Sequence, residues 1–417
     1  MGSGPEGARE HGSALIAAVE RRDTDLVKIL LNEGGRLAEL DVAFGMAVRA
    51  YAGDIAQLLL QHGADAGASR PGELLTLREA VDSGSPALVE ALLEHSIRGR
   101  CPRPELMEVC DLARDWHEAG AEAELRRRTR CHDGLVRSQV QDDEYHSVNE
   151  FTLGGTSVQD GHAAILTHLE QLLGIRAPFE EVMARAVQHD QHHSAWGHAT
   201  ILLASRRDQR TWEAAEALRT HAEPSRRLFG ATVLRLTHLF DGSDEDAFAA
   251  PALDLFTEWS AREEDTAVLT EVLVALGELV DPRAEAALLP YAEHPEAGIR
   301  RAVANGLGFP AEPPAVRAGA RAALLELMTD TDADVREAAC RRIAEGGDHD
   351  PVFAHAMAAL LDDADRRVQV VAVYGLALHD GERCVAAARR LPPAPPGTPH
   401  EYELDAVWRY EWRRDGR

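Results

Sequence analysis

Four histidines and an aspartate lie close together near the middle of the chain, and side chains of these types can bind a divalent metal. They are His189, Asp190, His192, His193 and His198. The pairs His189–His193 and Asp190–His193 have i, i+4 and i, i+3 spacing, which places two ligands on one face of a helix. His189, His192 and His193 are therefore the candidate metal ligands.

A second interpretation of these histidines needs no metal. The stretch is also expected to cross a turn between two helices, where helical spacing loses its meaning, and His198 falls in a column of otherwise apolar residues. The alternative is a histidine-rich loop with one partly buried histidine that has a hydrogen-bond partner. Because the chain contains no GxSxG, Walker-type or HExxH motif, we predict no cofactor and favour a protein that is not an enzyme.

A short helical pattern occurs three times between Pro295 and Leu376. Apolar residues at i, i+3, i+4 and i+8 give each helix one buried stripe. The copies are shifted by 335 − 299 = 36 and 368 − 335 = 33 residues, and this period is typical of a stack of repeats. The three copies are Ile299, Ala302, Val303 and Leu307; Val335, Ala338, Ala339 and Ile343; and Val368, Val371, Ala372 and Leu376.

The phrases Gly-Ile-Arg-Arg-Ala-Val at 298–303 and Asp-Ala-Asp-Val-Arg-Glu-Ala-Ala at 332–339 resemble HEAT repeats, in particular the bacterial type related to PBS lyases. The resemblance implies paired helices in a superhelix, with the second helix of each pair on the concave side. The register extends back to residue 193, so we predict about six pairs in a HEAT-repeat domain at 161–391. The resemblance also implies that Arg300 and Arg336 form structural ion pairs with an aspartate such as Asp334 or Asp365.

Another repeat occupies residues 12–130, with copies around Ala18, Ala47 and Ala80 that are shifted by 47 − 18 = 29 and 80 − 47 = 33 residues. Its phrase Leu-Leu-Leu-Gln-His-Gly-Ala-Asp at 58–65 resembles ankyrin repeats, which are antiparallel helix pairs followed by a projecting turn. The Thr-Pro-Leu-His start of typical ankyrin repeats is missing from every copy, and a blurred fourth unit is predicted to be a cap.

Two segments lie outside the repeats. Residues 131–160 break the helical rhythm and are predicted to be a linker or a functional loop. Residues 392–417 begin with a proline-rich connector and end in a tail that carries Tyr402, Trp408, Tyr410 and Trp412. This tail either packs its rings on the last repeat or folds into the concave groove, where a partner must displace it.

The formal charge of −26 and the pI near 5.1 argue against nucleic acid as the main partner, because binding to phosphates depends on Lys and Arg. Lys28 is the only lysine among 44 basic residues, which indicates the coding bias of a GC-rich bacterial genome. Five cysteines without CxxC spacing fit a reducing cytoplasm. No apolar run is long enough for a bilayer, so we expect a cytoplasmic protein that does not bind membranes.

The sequence therefore predicts an all-α solenoid, with an ankyrin stack followed by a HEAT superhelix. We predict that it is a non-enzymatic scaffold or adaptor that binds a basic protein or peptide in its concave groove. The alternatives are a metal-dependent or peptide-modifying enzyme that uses residues 189–198, and an immunity-like inhibitor of a basic toxin. The predicted partner-binding residues form i, i+4 pairs: Leu228 with Thr232, Thr270 with Val274, Arg301 with Asn305, Glu337 with Arg341, and Val370 with Tyr374.

Overall fold

The computed structural model describes most of the chain as two compact units, Met1–Arg206 and Arg207–Arg417. The fold class is an all-α helical solenoid, as predicted, and a small sheet is a minor addition. None of the helices in the described residues is long and apolar enough to cross a membrane. The described residues are 14–32, 39–50, 52–64, 77–93, 101–240, 247–308, 317–346, 350–379, 381–392 and 399–414, without the side chains of Pro399 and Glu401.

The first unit begins, in its described ranges, with short helices in pairs, followed by longer helices around a common core. Alanine, leucine and valine at helical spacing bury one face of each helix, and the core runs from Leu15 to Leu173. The helices are α1 (14–20), α2 (Thr24–Asn32), α3 (Leu40–Arg49), α4 (Gly53–Gln61), α5 (Leu77–Ser83), α6 (Pro86–Leu92), α7 (Arg103–Ala119), α8 (Ala121–Thr129), α9 (His162–Leu173), α10 (Phe179–Ala186) and α11 (Ser194–Ser205).

Residues 131–160 form a sheet where we expected a linker or functional loop. Three antiparallel strands, β1 (Val136–Gln141), β2 (Ser147–Leu153) and β3 (Thr156–Gln159), lie in the order β1-β2-β3. Leu153 and Val158 are buried in a second small core with Trp116 and Leu125. We did not predict the strands because β1 is largely exposed and polar. It therefore lacks the alternation of apolar and polar residues that marks a half-buried strand.

A close backbone approach joins this sheet to the first helix pairs. Gly84 has a φ of +76°, and a Cβ placed there would lie 2.0 Å from the carbonyl oxygen of Gln159. The amide of Gly161 donates a hydrogen bond of 3.0 Å to the carbonyl of Gly84. Only glycine combines this conformation with this contact, so the β3–α9 connection is held against the α5–α6 turn.

The domain boundaries that we predicted at residues 130 and 160 differ from the division seen in the structure. The sheet and helices α9 to α11 belong to the first unit, which ends at Arg206. The predicted HEAT-repeat domain at 161–391 therefore extends over the end of one unit and most of the next.

The described residues of the second unit form six successive helix pairs. All twelve apolar residues of the three repeated copies are buried, as their spacing predicts. The pairs are α12 (Gln209–Ala217) and α13 (Pro224–Leu239), α14 (Ala249–Ser260) and α15 (Thr266–Glu278), α16 (Pro282–Leu288) and α17 (Ala297–Gly306), α18 (Ala318–Leu327) and α19 (Ala333–Glu345), α20 (Pro351–Ala359) and α21 (Arg366–Leu378), and α22 (Arg383–Ala388) and α23 (Pro399–Arg414), with 3₁₀ turns at Leu218–Thr220, Leu289–Tyr291 and Leu360–Asp362.

Arginines connect successive pairs of this unit by a recurring set of hydrogen bonds. Each guanidinium makes two bonds of 2.6 to 3.0 Å to a carboxylate of the next pair. Its remaining nitrogen donates to two backbone carbonyls in the turn before its own helix. We call this set the arginine ladder, and its members are the pairs Arg227–Glu263, Arg300–Asp330 and Arg336–Asp363.

Arg300 and Arg336 have the structural role that the sequence predicts, but the acidic partners that we named were wrong. The partner of each arginine is instead the aspartate two residues before the N-cap of the second helix in the next pair. The N-cap Asp365 turns its carboxylate toward the amide of its own helix at Arg367. Asp334 bonds to the side chain of the same Arg367. Both of the predicted carboxylates are therefore engaged elsewhere.

Replacing Arg336 by alanine should lower the free energy of unfolding of the second unit by about 3 kcal/mol, because it leaves the largely buried carboxylate of Asp363 unpaired. Lysine should recover less than half of this loss, since an ammonium group does not form the bidentate pair. Urea unfolding by circular dichroism measures both. The control Arg262→Ala breaks a pair whose arginine is 74% exposed and should cost less than about 0.5 kcal/mol. Wild-type stability in the lysine variant would contradict the argument.

Candidate protein-binding face and histidine cluster

The ten predicted partner-binding residues lie on one row of neighbouring helices in the second unit. Helices α13, α15, α17, α19 and α21 pack against one another in succession, and each carries one predicted i, i+4 pair. We call this set of ten residues the inner face. The structure thus aligns the pairs as the register predicts, and their role in binding stays a prediction.

The first two pairs of the inner face are accessible in part. Leu228, Thr232, Thr270 and Val274 are all half-buried. The hydroxyls of the two threonines donate to backbone carbonyls one turn earlier in their own helices. This end of the face therefore offers mainly methyl and methylene groups to a partner.

The third pair, on α17, is more accessible than the other four. Arg301 and Asn305 are both exposed. Asn305 stands one position before Gly306, the last residue of the helix. Its exposure meets the requirement for a binding residue, but no finding assigns it a partner, so the binding role of Asn305 stays a prediction. The pair adds a cationic group and an amide group to the accessible part of the face.

The last two pairs are covered to different degrees, and one of them corrects the prediction. Val370 was expected on the exposed face but has 0% exposure. Helix α23 packs against α21, which carries Val370 and the half-buried Tyr374. Arg341 on α19 bonds to Glu403 of α23 at 2.5 Å. Helix α23, the second helix of the sixth pair, therefore packs beside α21 and continues the row at this end of the inner face.

Charged residues along the face are paired with one another. Arg367 bonds to Asp334 at 2.6 Å, Asp334 lies 3.7 Å from Arg301, and Glu337 bonds to Arg341 at 3.1 Å. Ion pairs near a solvated surface contribute little to stability individually. They leave the face without a strong local excess of one charge, so any preference for a basic partner must come from the field of the whole chain.

Two of the three candidate metal ligands lie together, and a residue distant in sequence joins them. Asp160, at the end of the sheet, accepts a hydrogen bond of 2.8 Å from Nε2 of His193 and lies 3.9 Å from Nδ1 of His189. These three side chains are the group with metal-ligand potential among the described residues, and we call them the Asp160 group. His192 is exposed and is not part of it.

The ring geometry of the Asp160 group disfavours a shared metal ion. The rings of His189 and His193 are stacked, with centroids 3.8 Å apart and planes 12° from parallel. The in-plane lone pairs of parallel stacked rings do not converge on one ion. Nδ1 of His193 also accepts the amide proton of Ala195 as the N-cap of α11, so its Nε2 carries the proton given to Asp160. A metal ligand needs that Nε2 without its proton.

Titration with Co²⁺ should therefore show no tetrahedral visible absorption band. The physical reason is that binding would have to rotate a ring and break the N-cap of α11. Visible spectroscopy of the wild type, with His189→Ala as the ligand variant and His192→Ala as the matched exposed control, measures this. A band that His189→Ala removes and His192→Ala keeps would reverse the conclusion.

Hydrogen bonds within the protein hold Asp160 in place. Its carboxylate accepts from the amide nitrogen of Asn149 at 2.9 Å and from the side-chain amide of Asn149 at 2.8 Å, besides the bond from His193. Burial tends to raise the pKa of Asp160, but these donors outweigh it and lower the pKa. Burial and the neighbouring His193 lower the pKa of His189 to about 4. The group thus places a carboxylate beside a neutral His189 ring.

A second buried polar group, which the sequence analysis missed, joins three elements of the first unit. Asp142, at the end of the β1–β2 hairpin, accepts hydrogen bonds from the hydroxyls of Ser85 and Ser194 at 3.2 and 2.7 Å and from the amide of Ala87 at 3.2 Å. Burial raises the pKa of Asp142 to about 6. The hairpin is therefore fastened to the N-termini of α6 and α11.

His198, which we expected to be partly buried with a hydrogen-bond partner, forms an ion pair next to Asp142. Its Nδ1 donates to the carbonyl of Ser194 at 2.8 Å and its Nε2 to Glu90 at 2.7 Å. Both partners are acceptors, so both ring nitrogens carry protons. Burial alone would lower the pKa of His198, but the hydrogen bond to Glu90 and its charge raise it to about 9.

Comparison with known proteins supports the assignment of the second unit. Residues 253–344 match the family described as HEAT repeats, so the C-terminal part contains HEAT-type repeats. A solved structure titled as the X-ray structure of YibA from Escherichia coli is similar at 16% identity, over 51% of this chain and 75% of that chain, with a TM-score of 0.41. That likeness is too weak to carry an argument. A search of curated proteins finds no match.

Proposed function

We propose that this chain is a non-enzymatic scaffold or adaptor that binds a protein or peptide along the inner face. The observation that carries the proposal is the row of neighbouring helices whose first three pairs are accessible in register. Successive repeats present such side chains as one extended surface, which suits a polypeptide better than a small molecule.

The partner is basic in this proposal. The net charge of −26 creates a long-range attraction for a cationic partner and raises its association rate. Since the charged residues of the inner face are paired within the chain, the preference depends on the overall field. Binding should therefore weaken steeply with added salt.

The helix pairs of the first unit are ankyrin-type repeats in this proposal. Helices α2, α4 and α6 begin at Thr24, Gly53 and Pro86, with shifts of 53 − 24 = 29 and 86 − 53 = 33 residues. These shifts equal those of the sequence copies. Cytoplasmic localisation in a bacterium completes the proposal.

The experiment adds positive charge and bulk to the accessible part of the inner face. A double variant with Thr270→Arg and Asn305→Arg should lose the partner that the wild type captures from the native lysate, as identified by mass spectrometry at low and high salt. Both positions have accessible side chains. A control variant with Ala222→Arg and Ala261→Arg adds the same charge in exposed turns and should retain the partner. Equal capture by both variants would contradict the proposal.

A further inference from the structure

Helix α23 is covered on one side only by the described residues of the second unit. It packs against α21 and α22, and its buried side consists of Glu403, Ala406, Val407 and Tyr410. Helix α21, which lies between α19 and α23, buries eight of its thirteen residues. The interior helices of the row are therefore covered by a neighbour on each side, whereas the exposed side of α23 has no described helix against it.

The exposed side of α23 carries large aromatic rings. Tyr402, Trp408 and Trp412 are 60, 65 and 50% exposed, and the two indoles stack with their centroids 6.5 Å apart. The aromatic rings of the tail, which we expected to pack on the last repeat or in the groove, thus remain largely on the surface except for Tyr410. A terminal repeat normally has a polar outer face, and exposed apolar groups that lie together mark an interaction surface.

The exposed residues of α23 form a stripe with a charged centre. Tyr402, Asp405, Arg409 and Trp412 are separated by 405 − 402 = 3, 409 − 405 = 4 and 412 − 409 = 3 residues, and Trp408 lies beside them. All five are exposed, and we call them the outer stripe. The alternation of three and four residues is that of the facing positions in a pair of packed helices. The stripe thus has an aromatic ring at each end and an acid followed by a base between them.

This order of residues makes the outer stripe complementary to a second copy of itself. In two antiparallel copies related by a two-fold axis at position 407, residues equally distant from that position face each other. Tyr402 and Trp412 lie five positions to either side of 407, and Asp405 and Arg409 lie two positions to either side. Each ring then meets a ring of the other copy and each charge meets its opposite, twice over by symmetry.

The two charged residues of the stripe are available for pairing with another molecule. Asp405 forms no hydrogen bond or ion pair with another described residue. The guanidinium of Arg409 lies over the ring of Tyr402, 4.8 Å from its centroid, and does not pair with Asp405 one turn earlier. An antiparallel copy presents the opposite charge to both groups, whereas a parallel copy would place like charges against each other, which is repulsive.

We propose that two copies of this chain associate through the outer stripes of their α23 helices, antiparallel about a two-fold axis. The aromatic rings supply apolar contact at both ends of the interface, and the pairs between Asp405 and Arg409 fix its orientation. The stripe contains none of the ten residues of the inner face. The inference therefore goes beyond the proposed function and does not depend on it.

Sedimentation equilibrium of the full chain measures the association. One copy has a mass of 45.4 kDa, so the dimer has a mass of 2 × 45.4 = 90.8 kDa. Because one helix from each copy makes a small interface, the mass should rise toward that of the dimer as the concentration increases through the micromolar range. A wild type that stays at the mass of one copy at about 100 µM would overturn the inference.

Two single substitutions test the antiparallel arrangement. Asp405→Arg gives each stripe two basic residues, and Arg409→Asp gives it two acidic residues, so each variant alone should associate at least tenfold more weakly than the wild type. An equal mixture of the two variants should form a mixed dimer about as tight as the wild type, because every facing pair then has opposite charges. Failure of the mixture to recover the dimer mass would contradict the proposed pairing.

Matched controls carry the same charge changes at exposed positions outside α23. Asp133→Arg and Arg210→Asp should each dimerise like the wild type, and weakening equal to that of the stripe variants would assign the effect to net charge and refute the inference. Far-UV circular dichroism verifies folding. If a stripe variant does not fold, a chain with Trp408→Ser and Trp412→Ser decides: it should associate at least tenfold more weakly, and association of wild-type strength would overturn the inference.

Discussion

Replacement of Asp142 by alanine is expected to lower the free energy of unfolding of the first unit by about 4 kcal/mol. The carboxylate accepts from Ser85, Ala87 and Ser194, and its removal leaves three buried donors without their acceptor. Each such group costs about 1–3 kcal/mol, partly relieved by rotation of the two hydroxyls. Urea unfolding gives the total, and hydrogen exchange over 77–93 and 194–205 shows whether both fastened helices loosen.

The first control for this prediction is the substitution Asp142→Asn. It keeps the size of the side chain and one acceptor oxygen, so it should cost less than half as much as alanine. A second control, Asp133→Ala, removes an exposed carboxylate of the same unit and should cost less than about 0.5 kcal/mol. If alanine at 142 costs no more than alanine at 133, Asp142 does not fasten the hairpin.

Between pH 7.5 and pH 5, the free energy of unfolding of the first unit is expected to fall by about 2 kcal/mol less in the His162→Phe variant than in the wild type. His162 is 2% exposed and stacks on Trp116 at 4.6 Å between ring centroids. Burial lowers its pKa from 6.5 to about 3. Below about pH 6.5, His162 of the unfolded chain therefore binds a proton, whereas His162 of the folded chain stays neutral. The free energy of unfolding contributed by the neutral ring is present above that pH and is lost as the pH falls.

Phenylalanine preserves the ring stack but does not titrate, so the pH dependence should become shallower. Urea unfolding at several pH values measures the slope. The replacement His132→Phe is the matched control, because His132 is exposed in the same unit, and it should leave the slope unchanged. An unaltered slope in His162→Phe would mean that His162 is not held neutral by burial.

The helical repeats were predictable because their information is local. Apolar residues at i, i+3, i+4 and i+8 report one buried face, and recurrence after 33 or 36 residues reports the stack. The strands at 136–159 were not predictable in the same way. Their polar sequence carries little alternation, and their order depends on α8 and α5, which pack beside them.

The histidine sites were predictable only in part, because their partners are distant in sequence. The cluster at 189–198 was evident as a composition, but Asp160 lies 33 residues before His193, and Glu90 lies 108 residues before His198. Helical spacing implied a shared face for His189 and His193, whereas the turn before α11 stacks their rings. Long-range partners of this kind leave no periodic signal in the sequence.

On the inner face, the spacing predicted the exposure of some residues correctly but not the burial of Val370. The i, i+4 spacing placed Arg301 and Asn305 on an exposed surface, and the structure agrees. The same spacing gave no sign that Val370 would be buried, because its burial accompanies the packing of the last helix on α21. Periodicity reports which residues of a helix face its own repeat, but it carries no information about which further residues the next helix of the row covers.

The arginine ladder also bears on how such a chain can change in length. Each arginine of the ladder belongs to one helix pair and its acidic partner to the next, so each ion pair is formed within two neighbouring repeats. Loss of residues 300–335, a segment of 336 − 300 = 36 residues, would join Ile299 directly to Arg336 and keep the Arg336–Asp363 ion pair. Duplication of that segment would add one more arginine–aspartate pair of the same kind. A single deletion or duplication can thus remove or add a whole repeat of the second unit, and the length of the inner face can change while the ion pairs between its repeats are kept.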